Sequence, residues 1–346
     1  DGKGDGASVN RWVTTIIESN AADSVKKAKA DVCDIAKGMD YQPLYIYRYI
    51  DENEDDYALT SRIDGITAGV ANQDMVVYQY PSYNGAHFDR MFLQRMKQRG
   101  IYTILFIHDA EMLRGKVDFD EAALFNEATL LIVHSQAMQT ALVERGVIRK
   151  MVQKPFFDYR HKEVSVSHER PEKRVVFAGN LAKTLFLQQW PNRTEILVYG
   201  EKNDRPFGAN VHYCGVFEQE ELIRKMEKNG FGLAWDDKLP AGGDYQQYTK
   251  YNAPHKISLY LSLGIPVIVW QQAAIAEMVQ KLGLGIVIAG IEEIDHKLGE
   301  LTDEEMLRMK NNVLSFSCLL RSGIFTRTAL VDSEVKILLN KGANQE

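Results

Sequence analysis

The sequence predicts an α/β protein built from two doubly wound domains, and three observations carry that reading. Short apolar runs alternate with amphipathic stretches along the whole chain, the pattern of a parallel sheet covered by helices on both faces. The pattern restarts near Arg174, after a polar stretch without apolar periodicity. At 346 residues the chain also exceeds what one core usually holds, so two domains are the default.

In the first half the strands are expected at residues 12–17, 44–47, 75–79, 102–107 and 130–133. A helix is expected over 21–37, and another over 89–98 with Phe92, Leu93 and Met96 on one face. The second half offers RVVFAGN, EILVYG, VHYCG, GFGLAW, IPVIVW and LGIVIAG as strands, with helices between them. After Leu301 the chain reads as helical to its end. The expected organisation is a disordered arm or cloning remnant at 1–10, a first domain at 11–157 and a polar linker at 158–173. A second domain at 174–315 and a helical tail at 316–346, packing back toward the first domain, complete it.

Composition narrows the function classes. Apolar residues make up 45% and charged residues 25%, the balance of a globular chain. A net charge of −6 without basic clusters gives no footprint for nucleic acid. Cys33, Cys214 and Cys318 are odd in number and far apart, which predicts reduced thiols in a cytoplasm and no metal site. No apolar run approaches the roughly 18 residues that would span a bilayer, and no signal peptide is visible.

The chemistry is expected in the loops after the strands, because ligands of such sheets bind outside the carboxyl ends of the strands. In KYNAPHKISLYLSLGIPVIVW, Pro254 suits a first helical turn and Gly264 suits the exit before a buried strand. Lys256 then places a cation at the positive end of the helix dipole, a conflict of roughly 0.3–1 kcal/mol that an intervening anion would remove. The arrangement predicts a bound phosphate, with a solvated lysine as the plainer alternative. Gly179 and Asn180 follow another buried strand, and Lys183 stands beside them at the expected start of a helix. Two cations at two helix starts predict a cradle for a diphosphate.

Gly230 and Gly232 lie inside a strand, where close backbone approach is the usual reason. That strand delivers Asp236 and Asp237, which suit sugar hydroxyls or a solvated turn; adjacent acids point to opposite faces and make no metal motif. In the first half, His108 and Asp109 end the strongest strand and are candidates for a base, with capping as the alternative for Asp109. Tyr80, Ser82, Tyr83 and Asn84 form a polar turn with Pro81 and Gly85. His134 and Ser135 lack any nucleophile elbow, so Ser135 is expected to cap a helix over 136–145.

The order FAGN, GFGLAWDD, YNAPHKISLYLSLGIPVIV and GLG, with YQYPSYN and FIHD before them, resembles the GT-B glycosyltransferases of the glucosyltransferase 3 type. These extend the first sugar on serine-rich-repeat adhesins and have relatives among bacterial galactofuranosyltransferases. The likeness runs from about residue 11 to residue 339. It implies two Rossmann-like domains facing a central cleft and a UDP-sugar held by the second, with Lys183 and Lys256 at the diphosphate and 215–217 near the uridine. The expected donor contacts are Gly179, Asn180, Lys183, Tyr199, Val216, Phe217, Asp236, Tyr251, Asn252 and Lys256. Asn20, Tyr80, Ser82 and Asn84 are expected at the acceptor, and Asp109 or His108 as the base. Lys183 stands where the family often has arginine, which keeps the charge and loses the bidentate fork. The segment between Trp235 and Tyr251 is longer here and is expected to close over the donor sugar.

The implied reaction moves glucose or GlcNAc from UDP to a GlcNAc on serine or threonine, without a metal or a further cofactor, in a cytoplasmic homo-oligomer. A galactofuranosyltransferase of surface polysaccharide, a UDP-sugar epimerase and a non-catalytic glycan-binding partner stay open as alternatives.

Overall fold

A computed structural model describes residues 9–18, 24–51, 53–115, 117–162 and 167–343. Most of the expected arm, residues 1–8, lies outside the described residues, as does Asn20. Two parallel sheets of six strands each dominate the fold. The first holds β1 (Arg11–Ile17), β2 (Gln42–Tyr47), β3 (Met75–Tyr80), β4 (Tyr102–Ile107), β5 (Leu130–Val133) and β6 (Lys150–Gln153), in the order β2-β1-β3-β4-β5-β6. The second holds β7 (Val175–Ala178), β8 (Ile196–Tyr199), β9 (Val211–Gly215), β10 (Phe231–Ala234), β11 (Val267–Trp270) and β12 (Gly285–Ile288), in the order β12-β11-β10-β7-β8-β9.

Every strand expected from the apolar runs is present. The central strands β3, β5, β7 and β11 are buried at every position, because helices cover both faces. Strand β6 escaped the sequence reading: KMVQ offers only two buried side chains, and its place comes from the register Leu131↔Met151 with β5.

Helices α1 (Ser24–Lys37), α2 (Asp56–Ile66), α3 (Ala86–Gln98), α4 (Glu121–Phe125) and α5 (Gln136–Glu144) cover the first sheet. Ser135 caps α5 by accepting from the Met138 N–H, as its position after an apolar run predicts. Helix α2 was not foreseen, since only Leu59 and Ile63 mark its buried face. In the second lobe follow α6 (Gln219–Lys225), α7 (His255–Ser262), α8 (Ala276–Lys281) and α9 (Ile294–Glu300).

The chain ends in α10 (Asp303–Ser322) and α11 (Ile324–Ala343), joined at Gly323, whose φ of 80° reverses the direction. Helix α10 lies along α7, and Lys310 donates to the Gly264 carbonyl at 2.7 Å. Helix α11 crosses to the first sheet: Glu334 accepts from Tyr41 at 2.6 Å and pairs with Arg11 at 2.9 Å. Asp158, expected to open a polar linker, is buried and accepts the Phe325 and Thr326 N–H groups at 3.0 and 2.7 Å, capping α11 from afar.

The lobes meet where the ends of β4 and β5 face the segment entering α7. Ala110 donates to the Tyr248 hydroxyl at 3.0 Å, Ser135 to the Tyr251 carbonyl at 2.6 Å, and Ala253 to His134 Nδ1 at 3.1 Å. The cleft lies between the carboxyl ends of the two sheets.

Candidate active site

Helix α7 is seated by its tyrosine. A Cβ at Gly232 would stand 2.3 Å from Cγ of Tyr260, so only glycine lets the ring lie flat on β10. The Tyr260 hydroxyl then donates to the Leu233 carbonyl at 3.1 Å and accepts from Ala178 at 3.0 Å, fixing α7 against β7 and β10. Its amino terminus has no side-chain cap. It opens on a cavity of about 430 Å³ lined by Gly179, Asn180, Tyr199, Gly200, Phe217, His255, Lys256 and, from the chain between the lobes, Tyr159.

Lys256 occupies the first turn of α7, as the sequence predicts, and the cavity is built around its ammonium. Its Nζ lies 3.8 Å from the Phe177 ring centroid. Burial lowers its pKa to about 8, opposed by Asp236. A Cβ at Gly179 would come within 3.0 Å of Nζ, so the glycine leaves room for the lysine. Gly200, at φ 139°, is equally constrained: a Cβ there would strike the Gly179 carbonyl oxygen at 1.8 Å. Asp236 has its own carboxyl raised by burial, with Lys256 and Arg114 pulling it down. The combination of an uncapped helix start, a desolvated cation and close backbone approach suits an anionic group.

The other donor candidates divide. Tyr199 and Phe217 line the cavity with their rings, while the Tyr199 hydroxyl accepts from Glu227 at 3.0 Å. The helix expected at Lys183 requires a correction, because no α-helix starts there. LAKTLFLQQW forms two single 3-10 turns, Leu181–Lys183 and Leu185–Leu187, and Lys183 is exposed and outside the cavity lining. Local side chains outcompete the helix: Thr184 bonds the Asn180 carbonyl, and Asp237 accepts the Leu185 and Phe186 N–H groups at 2.8 and 3.1 Å. Asp237 is therefore a cap. Val216 is exposed and outside the lining, the Tyr251 carbonyl binds Ser135, and Asn252 lines a separate cavity of about 610 Å³ with His134 and Gln271.

In the first lobe, Asp109 does not cap the following 3-10 turn, whose N-cap is Ala110. Its carboxylate pairs with Arg114 at 3.0 Å, and burial raises its pKa to about 6, with Arg114 opposing the rise. His108 is a poorer base. Gln79 directs its amide N–H groups to the carbonyls of Thr14 and Lys29 at 2.9 and 3.1 Å, so its Oε1 accepts from His108 Nε2 at 2.8 Å. Burial and the cations Lys29 and Lys154 hold that imidazole neutral, its pKa well below the usual value.

Two acceptor candidates are corrected. Tyr80 is buried and donates to Glu121 at 2.7 Å, and Ser82 is buried and bonds Asp89; both hydroxyls belong to the core. Asn84 is buried as well and accepts the Tyr49 N–H at 2.7 Å. Arg114, Tyr248 and Tyr159 carry no local sequence pattern; only the tertiary fold sets Arg114 on the Tyr248 ring and Tyr159 in the cavity wall.

Models of the glucosyltransferase 3-like N-terminal and C-terminal domains match residues 10–156 and 175–333. The chain belongs to the glucosyltransferase 3-like family. Glucosyltransferase 3 of Streptococcus gordonii is 30% identical over 332 residues, covering 94% of this chain and 98% of that protein. The beta-1,6-galactofuranosyltransferase WbbI of Escherichia coli (strain K12) is 26% identical over 282 residues, covering 78% and 82%. Among solved structures, an alpha-glucosyltransferase in complex with UDP superposes with a TM-score of 0.56 at 11% identity, covering 93% of this chain and 98% of that one. The fold is GT-B, and this member of the glucosyltransferase 3-like family is a glycosyltransferase.

Proposed function

We propose that the enzyme moves a hexose or N-acetylhexosamine, glucose or GlcNAc, from UDP to a GlcNAc carried on serine or threonine of a serine-rich-repeat protein. The observation that carries the donor half of the reading is the Lys256 ammonium, set at the uncapped start of α7 in the cavity that Gly179 leaves open; the likeness to glucosyltransferase 3 supports the rest. The diphosphate binds there, and the lysine balances the negative charge that grows on it as the glycosidic bond breaks, without a divalent ion. Asp109 takes the proton of the acceptor hydroxyl. In one displacement the acceptor oxygen bonds the anomeric carbon, the carbon to phosphate oxygen bond breaks, and UDP departs with the electron pair. The anomeric configuration inverts.

The likeness to WbbI supports a second reading, a galactofuranosyl donor with the same machinery. Relatives named as transferases favour transfer over epimerisation. We also propose a cytoplasmic homo-oligomer; the three cysteines are free, in keeping with a reducing compartment, and among the described residues no helix is long and apolar enough to cross a membrane. The test is incubation with UDP-glucose, UDP-GlcNAc and UDP-galactofuranose, each with a GlcNAc-bearing serine-rich peptide, followed by peptide mass. One donor should add its sugar to the peptide. Release of sugar to water with every donor and no mass gain on any peptide would overturn the acceptor assignment.

A further inference from the structure

The donor lobe reaches into the acceptor lobe at one residue beside the proposed base. Tyr248 sits on the 3-10 turn Gln246–Lys250 between β10 and α7, yet it is 3% exposed and packs in the apolar core of the first lobe. Its hydroxyl accepts from the N–H of Ala110, the residue after Asp109, at 3.0 Å. Its ring carries the Arg114 guanidinium 4.7 Å from the centroid, and Tyr245 stands on the same cation at 5.7 Å. Arg114 in turn directs one nitrogen to Asp109 at 3.0 Å and another to Glu111 at 3.2 Å.

An arginine on its own samples many rotamers, and a stacked planar guanidinium samples few. The tyrosines therefore decide where the Arg114 fork points. We infer that Arg114 and Tyr248 are positioning residues for the transfer: the donor lobe's own loop holds the arginine that orients and keeps charged the Asp109 carboxylate, so the base is assembled only with the lobes together. The inference rests on Asp109 being the base. The groups that face Asp109 are Arg114 and Lys29, which favour its charge, Glu111, which opposes it, and the Tyr248 hydroxyl one residue away. The same guanidinium also favours the charged form of Asp236 in the donor lobe.

The test is the pH dependence of kcat for the full chain with the UDP-sugar and peptide that the donor panel selects, beside calorimetric affinity for UDP alone. In R114M the acidic limb should move up by about 1–3 pH units, the size of the effect of a close opposite charge on a carboxylate. UDP affinity should stay at the wild-type value. R114K should bring the limb back toward wild type, and Y248L should move it in the same direction as R114M because the guanidinium loses its platform. If R114M fails to fold, judged by circular dichroism, R114Q replaces it, keeping a planar amide without the charge; a folded Arg114 variant that has lost UDP binding also overturns the inference. An acidic limb that coincides with wild type in a UDP-binding Arg114 variant overturns the inference. A D109N enzyme with wild-type kcat would instead sink the reading of Asp109 as base; an inactive D109N with an unmoved R114M limb sinks the positioning role alone.

Discussion

The proposed donor site turns on Lys256, and its place there predicts opposite effects on binding and stability. K256M should weaken UDP by roughly 10- to 100-fold in calorimetry, the value of a charge-assisted contact of about 1.5–3 kcal/mol. Without ligand the same variant should unfold at a higher temperature at pH 7. The lysine's folded pKa of about 8 lies below its ordinary 10.5, so the unfolded chain binds more protons between those values. The ammonium thus destabilises the apo protein below about pH 8, and its burden lifts as pH rises toward 10.5. G179A is the finer probe: its methyl would press on Nζ, lowering UDP affinity while the rest of α7 stays seated. Lys256 was legible in the sequence because a cation in a first helical turn breaks a rule that needs no tertiary knowledge. The helix expected at Lys183 is absent because the apolar spacing of LAKTLFLQQW only imitates one, and the distant Asp237 that takes the Leu185 and Phe186 N–H groups is invisible along the chain. Tyr80 and Ser82 misled for a related reason. Their partners Glu121 and Asp89 are carboxylates turned into the core, which no hydrophobic pattern announces.

At the scale of elements, the site depends on how α7 lies on β7 and β10. G232A should lower both the thermal midpoint and UDP affinity, because a methyl at that position meets the Tyr260 ring and must lift the helix that carries Lys256. Y260F keeps the ring and removes two buried hydrogen bonds, to Ala178 and Leu233, for about 1–3 kcal/mol in denaturant unfolding. Loss of stability in Y260F with UDP affinity unchanged would show that the hydroxyl holds the fold and the ring alone seats the helix. The glycine of β10 was readable as a place of close approach; what approaches it was not. The sheets themselves were readable, since buried parallel strands are continuous apolar runs, whereas β6 and α2 show only two buried side chains each.

Across the whole molecule, the lobes are held by pairs more than a hundred residues apart, such as His134 with Ala253, and these left no trace in local pattern. That pair makes stability depend on pH. His134 donates from Nε2 to the Ile107 carbonyl at 2.7 Å and accepts the Ala253 N–H at Nδ1, so it must be neutral. Burial and Lys154 hold its pKa at about 3, against an ordinary 6.5. A folded pKa below the unfolded one means that the unfolded chain takes up the proton first; the stabilisation is complete above about pH 6.5 and is lost as pH falls toward 3. The buried carboxyls Asp31, Asp89 and Glu121, raised by burial, act in the opposite sense. Comparing H134Q with wild type isolates the histidine: the thermal midpoint of wild type should fall more steeply between pH 6.5 and 4. Parallel curves would remove His134 from the account of how the lobes are joined.

The placement of the diphosphate is best tested by the structure of the protein with UDP bound. The pyrophosphate should lie at the first turn of α7 within hydrogen-bonding reach of Lys256 Nζ, beside Gly179. A nucleotide bound elsewhere, or a pyrophosphate with Lys256 turned away from it, would contradict the account.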